Sequence, residues 1–479
     1  MKHSLALVPF LLVVSITALQ AQQGDPSPLA PVVFTNVTVI DATGAPARPA
    51  MTVVITQDRI SALEKTGTVA IPSGAHVFDA MDHFLIPGLW DMHTHIADIE
   101  TYPRSRDIFL PLLIAHGVTG IRDMGGDLAA LTQWREEITA GKRIGPRIIA
   151  SGPMLDGPNP PFPQSVSVHN ATEGRQIVLD LKQQGADFIK VQSLIPRDAY
   201  FAVIHEARQH GLRVAGHLPD QITATEASEA GQHSMEHFIG WLKSSSTVEQ
   251  ELLQTVSIFD LFQKKEPVQR LLGTQSKEKE EALFARLAQK SMWQCPTIVW
   301  MRGLSHIDEN TFPADPRLDY IPASWVAAWR VTKEERLLAG RSAEDIAAGK
   351  QYFRTLFDLI KTAHRAGVPF LAGTDTPAPY VFPGSSLHEE LALLVEAGLT
   401  PMEALQTATR NPALYLDQQD RLGTIEVGKI ADLVLLEANP LEDITNTQKI
   451  AAVVVGGKLF SHSALQALRT AVATSAQQG

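Results

Sequence analysis

The sequence predicts an α/β fold in which a large unit of alternating strands and helices is flanked by a smaller β unit. Between residues 85 and 375, short apolar runs end in polar residues and alternate with amphipathic segments. Both ends of the chain carry β-type runs separated by turn residues. The length of 479 residues is enough for one large domain and a smaller one.

The large unit contains eight predicted strands, which alternate with helices. The strands are Leu85–His95, Val118–Asp123, Arg147–Ser151, Phe188–Gln192, Arg213–His217, Ser234–His237, Gln294–Trp300 and Pro369–Asp375. Eight strands alternating with helices are the number of a TIM-type (β/α)8 barrel. We therefore predict a barrel over residues 85–420.

The predicted helices begin at capping residues and often end at glycine. Asp127 is a predicted N-cap, and Thr223, Ser386 and Thr400 each precede a glutamate by three residues, which is a capping-box pattern. Glycines follow the predicted helices at 117, 185, 211, 231 and 367. Residues 301–347 form a long insertion after the seventh strand, and two interpretations stay open: a lid or substrate wall, and a surface excursion.

The β unit is predicted from two separate stretches of the chain. Its strands are Pro31–Ile40, Met51–Ile60, Ala75–Asp79, Ile425–Leu436 and Ile450–Phe460. We expect residues 31–84 and 421–465 to pair into one small β-sandwich.

The first 21 residues are typical of a secretory signal peptide. Lys2 precedes an apolar stretch from Leu5 to Leu19, and Ala21 precedes a plausible cleavage point. The stretch is shorter than the ~20 residues of a membrane-spanning helix. We therefore expect an exported protein, periplasmic or secreted, with no stable membrane association after cleavage.

Charge and cysteine content exclude several classes of protein. The formal net charge of −11 argues against nucleic acid as a partner, because binding to phosphates requires a basic face. Cys295 is the only cysteine, so an internal disulfide is impossible. We expect Cys295 to be a buried strand residue rather than a nucleophile.

Histidines stand at the ends of several predicted strands. His93 and His95 follow an apolar run and are two residues apart, so both side chains point to one face and can reach one cation. His217 and His237 end two further strands, and His233 competes with His237. We prefer His237 because it falls at the end of its run, where barrel active sites lie.

A lysine and an aspartate complete the set of candidate ligands. Lys190 lies inside a β-type run, where a lysine is rarely buried without a reason. A neutral amine takes up carbon dioxide to give a carbamate, whose two oxygens can bridge two metals; the alternative is an edge-strand lysine that reaches solvent. Asp375 ends the last apolar run. Two interpretations of it stay open: a metal ligand that also accepts a proton, and a turn residue or helix cap before Pro377.

These motifs together resemble the amidohydrolase superfamily, nearest its imidazolonepropionase-related and metal-dependent prolidase-like branch. The resemblance extends from about Pro31 to Phe460 and rests on the His-x-His, Phe-Ile-Lys-Val, Gly-His-Leu-Pro, Met-Glu-His and Gly-Thr-Asp-Thr strands and on the tail from Gly423 to Val434. Adenosine-deaminase-like members carry a glutamate three residues after the fifth-strand histidine, where this chain has Asp220. Imidazolonepropionases use one metal and lack the fourth-strand lysine, so Lys190 favours the two-metal branch.

The resemblance implies two divalent cations, with zinc favoured by the nitrogen and oxygen ligands. His93, His95 and Asp375 would bind one cation, His217 and His237 the other, and carboxylated Lys190 would bridge both. A bridging hydroxide would attack an acyl carbon–nitrogen bond, with Asp375 carrying the proton. The expected substrate is a small molecule or dipeptide: an N-acyl amino acid, a prolidase-type dipeptide or a related amide.

Several alternatives stay open. The same site could hydrolyse a cyclic amide or a lactone, and a catalytically silent ligand-binding member is the rival from another class. Arg122 and Asp123 either contact substrate or form a structural salt bridge, and Tyr380 either contacts substrate or lies in a surface loop. Histidines on helical patterns are expected to be solvated: 205, 210, 364 and 388. Homo-oligomer formation also stays open.

Overall fold

The computed structural model describes residues 30–478, except 239 and 310–313. The predicted signal peptide lies outside the described residues. None of the helices in the described ranges has both the length and the apolar character needed to cross a membrane.

Strands and helices alternate along most of the described chain. The strands are β1 Val32–Val39, β2 Arg48–Thr56, β3 Arg59–Lys65, β4 His76–Asp79, β5 Phe84–Pro87, β6 Leu89–Thr94, β7 Val118–Asp123, β8 Arg147–Ala150, β9 Met154–Asp156, β10 Ser165–Ser167, β11 Phe188–Val191, β12 Arg213–Gly216, β13 Ser234–Glu236, β14 Trp293–Cys295, β15 Leu433–Leu436, β16 Ile450–Val455 and β17 Lys458–Ser461.

The α-helices are α1 Ser105–Ala115, α2 Leu128–Thr139, α3 Ala171–Gln183, α4 Arg197–Gln209, α5 Ala224–Ala230, α6 Trp241–Ser244, α7 Glu249–Thr255, α8 Lys265–Gly273, α9 Lys277–Gln289, α10 Ile298–Ser305, α11 Ala323–Val331, α12 Ala343–Arg365, α13 Ser385–Glu396, α14 Pro401–Thr407, α15 Arg410–Tyr415 and α16 His462–Gln477. Short 3₁₀ segments span Ile258–Phe262, Pro316–Tyr320 and Ile444–Gln448, and a π-helix spans Thr332–Leu338.

Both ends of the chain contribute strands to one eight-stranded sheet. Its order is β17–β16–β15–β5–β1–β2–β3, with β4 beside β1. The antiparallel pairing of β5 with β15 joins the two stretches of chain. The predicted single strand Met51–Ile60 is instead part of the β2–β3 hairpin, because Gln57 takes a positive φ of 56° and turns the chain.

The parallel strands form a three-stranded sheet, β6–β7–β8, and a six-stranded sheet, β10–β9–β11–β12–β13–β14. β8 and β9 lie on either side of a bend at Gly152, which has a positive φ of 76°. The segment 369–376 lies between the two sheets: Leu371 N donates to Gln294 O (2.8 Å) and Met92 N donates to Ala372 O (2.9 Å).

Three predicted strands of the large unit differ from the observed ones. Leu85–His95 is split at Gly88 into β5 and β6, which belong to different sheets. The second half of Gln294–Trp300 begins helix α10, because Thr297 adopts a left-handed conformation. Pro369–Asp375 forms one isolated bridge, at Phe370, with a second just beyond it at Thr376, rather than a continuous ladder. Alternating apolar residues predicted the segments but not their hydrogen-bonded partners.

Helix caps follow local chemistry in three of the four predicted cases. Asp127 caps α2, and Thr223 and Thr400 form capping boxes. The predicted box at Ser386 is wrong, because α13 begins at Ser385 and its N-cap is Gly384, two residues before the predicted cap. The prediction of a solvated His388 is also wrong: it is fully buried and bonds Thr447 Oγ1 (2.9 Å) and the backbone oxygen of His116 (3.0 Å).

The insertion after β14 packs against the loop that follows Asp375. Trp329 is buried, and its Nε1 donates to the hydroxyl of Tyr102 (3.1 Å), which donates in turn to Pro377 O (3.1 Å). The ring of Tyr380 lies 5.7 Å from that of Trp329 and is buried, so the surface-loop interpretation of Tyr380 is wrong. The insertion is therefore a packed wall beside the carboxyl end of segment 369–376.

Candidate metal centre

His93 and His95 lie at the carboxyl end of β6 and point toward Asp375. His93 is fully buried, and its Nε2 is 3.4 Å from Asp375 Oδ1. His95 Nε2 is 3.3 Å from the same oxygen, while its Nδ1 bonds Gly125 O at 3.0 Å. Both Nε2 atoms thus converge on one carboxylate, as the two-residue spacing predicted.

The backbone holds Asp375 at this position. Its amide donates to His93 O (2.8 Å), and its φ is 65°. One residue earlier, the Thr374 amide (3.0 Å) and hydroxyl (2.6 Å) both donate to Asp91. Burial raises the pKa of Asp91 to about 7, although these hydrogen bonds favour its ionised form. Asp91 is therefore a positioning residue that the sequence did not single out.

His217 and His237 lie at the ends of β12 and β13 and face each other. Their ring centroids are 5.0 Å apart, and that of His237 is 4.6 Å from that of His93. His217 Nδ1 bonds Ser193 Oγ (2.7 Å) and His237 Nδ1 bonds Thr297 Oγ1 (2.6 Å). In both rings the second nitrogen, Nε2, is left for another partner.

The competing candidate His233 lies at the opposite, amino end of β13 from His237. It precedes β13, is exposed, and donates its backbone N–H to Val214 O (2.7 Å). The preference for His237 over His233 agrees with this placement.

Lys190 is fully buried on β11, and its Nζ has no hydrogen-bond partner among the described residues. β11 pairs with β12 so that Lys190 lies opposite Ala215, two residues before His217. Burial lowers the pKa of Lys190 to about 8, while the charges of Glu236 and Asp375 oppose that shift. An edge-strand lysine reaching solvent is excluded, because β11 has a strand on each side.

A buried ion pair between Glu236 and Arg122 lies next to His93 and is hydrogen-bonded to it. Glu236 Oε2 accepts from His93 Nδ1 (2.8 Å), and both Glu236 oxygens accept from Arg122 Nη2 (3.0 Å each). Arg122 also donates to Met92 O (2.6 Å) and Ser234 Oγ (2.9 Å). Both charged side chains are fully buried, so Arg122 is a structural residue.

The salt bridge of Arg122 does not involve Asp123. Asp123 instead accepts from the amides of Ile96 (2.8 Å) and Gly125 (3.3 Å), which shapes the loop after His95. Burial raises the pKa of Asp123 to about 6. The structural salt-bridge interpretation is therefore confirmed for Arg122, which pairs with Glu236, but not for Asp123, whose side chain points to the opposite face of β7.

Glu236 was missed by the sequence analysis, although the Met-Glu-His motif contains it. Because side chains alternate along β13, the sequence shows that Glu236 and His237 point to opposite faces. It does not show which residues contact Glu236. The contact with Arg122 and His93 joins three strands that are distant in the chain.

The donor set fits a metal centre. Among the described residues, one ligand atom each from His93, His237 and Asp375 lie within 4.8 Å of one another. His93 Nε2 is buried without a hydrogen-bond partner, as is Lys190 Nζ. Burial holds the pKa of His93, His217 and His237 well below the ordinary value, so these rings are neutral and able to bind a cation.

In a second group of possible ligands, the ligand atoms also lie within 4.8 Å of one another: His93, Glu236 and Cys295. Its carboxylate is already paired with Arg122. Cys295 is buried on β14, as predicted, and burial raises its pKa well above the ordinary value. A protonated thiol and a neutralised carboxylate make this group a poor cation site.

The chain is similar to several known proteins. Ochratoxinase of Aspergillus niger is 44% identical over 103 residues, a match that covers only 20% of this chain and 20% of that protein. The solved structure of a bottromycin amidohydrolase has a TM-score of 0.73 and 23% identity, covering 93% of this chain and 90% of that one. A Xaa-Pro dipeptidase structure has a TM-score of 0.65 and 21% identity, covering 90% and 100%.

At these identities the solved structures establish a shared fold, of the type the sequence predicted. The family model described as "Amidohydrolase family" matches residues 84–296 and 320–460, which is most of the chain. The chain therefore belongs to the amidohydrolase family.

Proposed function

We propose that this protein is a metal-dependent hydrolase of acyl carbon–nitrogen bonds. The observation that carries the proposal is a buried cluster of His93, His237 and Asp375 beside His217 and Lys190, in which His93 Nε2 and Lys190 Nζ have no hydrogen-bond partner and the imidazoles of His93, His217 and His237 are neutral. Unpartnered buried polar atoms are costly unless another ligand satisfies them.

The proposal includes the architecture of the barrel. The parallel strands β6 to β14 and the segment 369–376 would form one TIM-type (β/α)8 barrel, with the bent chain from β8 to β9 as its third strand. The bridges Gln294–Phe370 and Thr94–Thr376 support this closure. Every candidate ligand then lies at the carboxyl face, where barrel active sites are found. The terminal sheet would be the predicted β-sandwich.

His93, His95 and Asp375 would hold one cation, and His217 and His237 a second. When bound, the two cations, for which zinc is favoured, would polarise the scissile carbonyl and lower the pKa of the attacking water toward ~7. Neutral Lys190 would add its Nζ to carbon dioxide, forming an N–C bond and releasing a proton. The resulting carbamate would supply the anionic oxygens that an ammonium group cannot.

Asp375 would carry the proton between water and the leaving nitrogen. Its side chain is partly accessible, whereas that of His93 beside it is fully buried. Thr374 and the amide bond to His93 O fix the carboxylate in place. The general base therefore has the access and the rigidity that proton transfer requires.

The names of relatives support an amide substrate. The Xaa-Pro dipeptidase and the bottromycin amidohydrolase share the fold, and ochratoxinase shares local sequence. We propose an N-acyl amino acid, a dipeptide of prolidase type or a related amide as the substrate class. A cyclic amide or a lactone would be attacked at the same site.

A substrate screen with added zinc tests this function. N-acyl amino acids, Xaa-Pro dipeptides, cyclic amides and lactones are incubated with wild type and with Asp375→Asn, and metal content is measured by elemental analysis. Hydrolysis of an amide by wild type alone supports the proposal. Turnover of lactones only would reassign the bond type, and metal binding without any turnover would favour a silent ligand-binding protein.

We also propose export through the predicted signal peptide at residues 1–21. The basis is the apolar stretch after Lys2. Mass measurement of the mature chain tests this: loss of the first 21 residues is expected, and a cytoplasmic protein that retains Met1 would contradict it.

A further inference from the structure

Large apolar side chains are exposed at the carboxyl ends of the parallel strands. Leu194 follows β11 and Phe162 follows β9, and 38% and 39% of these residues' surfaces are exposed. The other exposed large apolar residues of the described chain are Ile99 in the loop after β6, Val166 on β10, Val331 in the insertion, and Ile71, Val77, Met81 and Val427 in the region of the terminal sheet. Exposed apolar groups beside a site mark a ligand-binding surface.

Hydrogen bonds tie the loops that carry these groups together. Asp156, at the end of β9, accepts from the amide of Leu194 (2.8 Å). Asp220, after β12, donates its amide to Ser193 O (2.9 Å) and accepts from Ser257 Oγ (2.8 Å). Ser257 caps the 3₁₀ segment whose Phe259 ring lies 6.4 Å from that of Phe162.

Trp300 lies directly beside the metal centre. It is half-buried at the start of α10, and its ring centroid is 4.6 Å from that of His237. Thr297, three residues earlier, holds His237 Nδ1. On the other side, Leu194 follows Ser193, which holds His217 Nδ1. Trp300 thus contacts one imidazole, and Leu194 is the chain neighbour of the residue that hydrogen bonds to the other.

Most of these loops carry no charged residue; the exception is the 3₁₀ segment of Phe259, where Asp260 pairs with Lys264 (3.0 Å). Residues 157–168, 192–196, 296–301 and 376–387 contain no aspartate, glutamate, lysine or arginine. In the loop after β12, Asp220 is neutralised by Lys243 Nζ at 3.0 Å. Charged groups of a substrate would therefore meet few counter-charges on this side.

We propose that Phe162, Leu194, Phe259 and Trp300 form an apolar rim that binds an aromatic or bulky aliphatic group next to the scissile bond. This inference rests on the proposed function and deepens it. It names the substrate class as hydrophobic amides, in preference to small dipeptides with charged termini. Trp300 is the main contact, because an indole offers a large flat surface for stacking.

Matched substrates test the rim. N-benzoyl-L-alaninamide is compared with N-acetyl-L-alaninamide and with the dipeptide Ala-Pro, using the zinc-loaded enzyme. Wild type should prefer the benzoyl substrate. Trp300→Ala should lower kcat/KM for the benzoyl substrate about tenfold more than for the acetyl substrate, the order expected for loss of stacking and apolar contact. Trp300→Phe should restore most of the preference.

Leu194→Ala provides a second variant, because Trp300 touches His237 and its truncation could reduce metal content. Val427→Ala, an aliphatic truncation at a more exposed residue (60%, against 38% for Leu194) outside the rim, is the control and should leave the preference unchanged. Equal losses on both substrates in Trp300→Ala and Leu194→Ala would overturn the rim, as would a wild type that prefers Ala-Pro.

Calorimetric binding of N-benzoyl-L-alaninamide separates this inference from the proposed function. If no amide is hydrolysed, the proposed function fails. Binding that weakens in Trp300→Ala but not in Val427→Ala would still support the rim. Absent binding, or equal binding in all variants, would overturn it.

Discussion

Replacing Glu236 with glutamine separates two roles of one buried carboxylate. The substitution keeps the shape of the side chain and one acceptor for His93 Nδ1, now 2.8 Å away. It removes the charge that neutralises Arg122, whose guanidinium is fully buried. Removing one partner of a buried ion pair typically costs about 3–5 kcal/mol of stability.

The structure places the expected loss near the lower end of that range. Arg122 keeps its hydrogen bonds to Met92 O and Ser234 Oγ, and the Tyr415 ring lies 4.9 Å from its Cζ. We therefore expect Glu236→Gln to lower the free energy of unfolding by about 3 kcal/mol. Metal affinity should fall about 10–100-fold, because His93 loses the anionic partner that orients its ring and strengthens it as a ligand.

Two further variants isolate these effects. Adding Arg122→Met to Glu236→Gln removes the unpaired cation and should restore much of the stability, but not the metal affinity. Asp432→Asn breaks the Arg147–Asp432 pair (2.6 Å), which lies outside the candidate centre, and should leave metal affinity unchanged. Urea denaturation and competitive zinc titration measure both quantities. A Glu236→Gln variant that binds zinc within about twofold of wild type would refute the positioning role.

Three other predictions concern single residues. Lys190→Ala should lose metal and activity together, and excess formate or propionate should restore part of the activity; elemental analysis showing the same metal content as wild type, with equal activity, would contradict the bridging role. Asp375→Asn should reduce kcat by about 10²-fold or more while the circular dichroism spectrum is unchanged, and a near-normal kcat would remove Asp375 from the mechanism. Glu390 is buried against the first residues of α10, and burial raises its pKa from the ordinary value of 4.5 to about 8. Between these two pH values, the carboxyl group is protonated in the folded state and ionised in the unfolded chain. Stability should therefore fall as the pH rises from about 5 to about 8, and Glu390→Gln should abolish that component; equal pH slopes in urea denaturation of both proteins would contradict this.

Local pattern was sufficient where the interaction is local in the chain. The two-residue spacing of His93 and His95 places both side chains on one face at the end of β6. The apolar runs before His217 and His237 likewise placed these histidines at the ends of β12 and β13. Asp127, Thr223 and Thr400 cap helices through the amide three residues later. The burial of Cys295 likewise followed from its apolar run.

Patterns were insufficient where partners come from distant segments. Asp375 reaches its place through backbone bonds to β6, so segment 369–376 is positioned without forming a regular strand. The capping pattern at Ser386 was overridden by Gly384, and His388 on a helical pattern is buried against Thr447. In each case the tertiary contact outweighs a local preference of about 1 kcal/mol.

The sequence by itself determined the family, the alternation of strands and helices and the set of candidate ligands, because these follow from residue type and short-range spacing. Only the tertiary structure decided that Arg122 pairs with Glu236 rather than with Asp123, and that Glu236 supports His93. It also brought Trp300 against His237 and tied the loops of Leu194 and Phe162 together. These contacts join elements far apart in the chain, and their geometry depends on the packing of neighbouring strands and helices rather than on any local pattern.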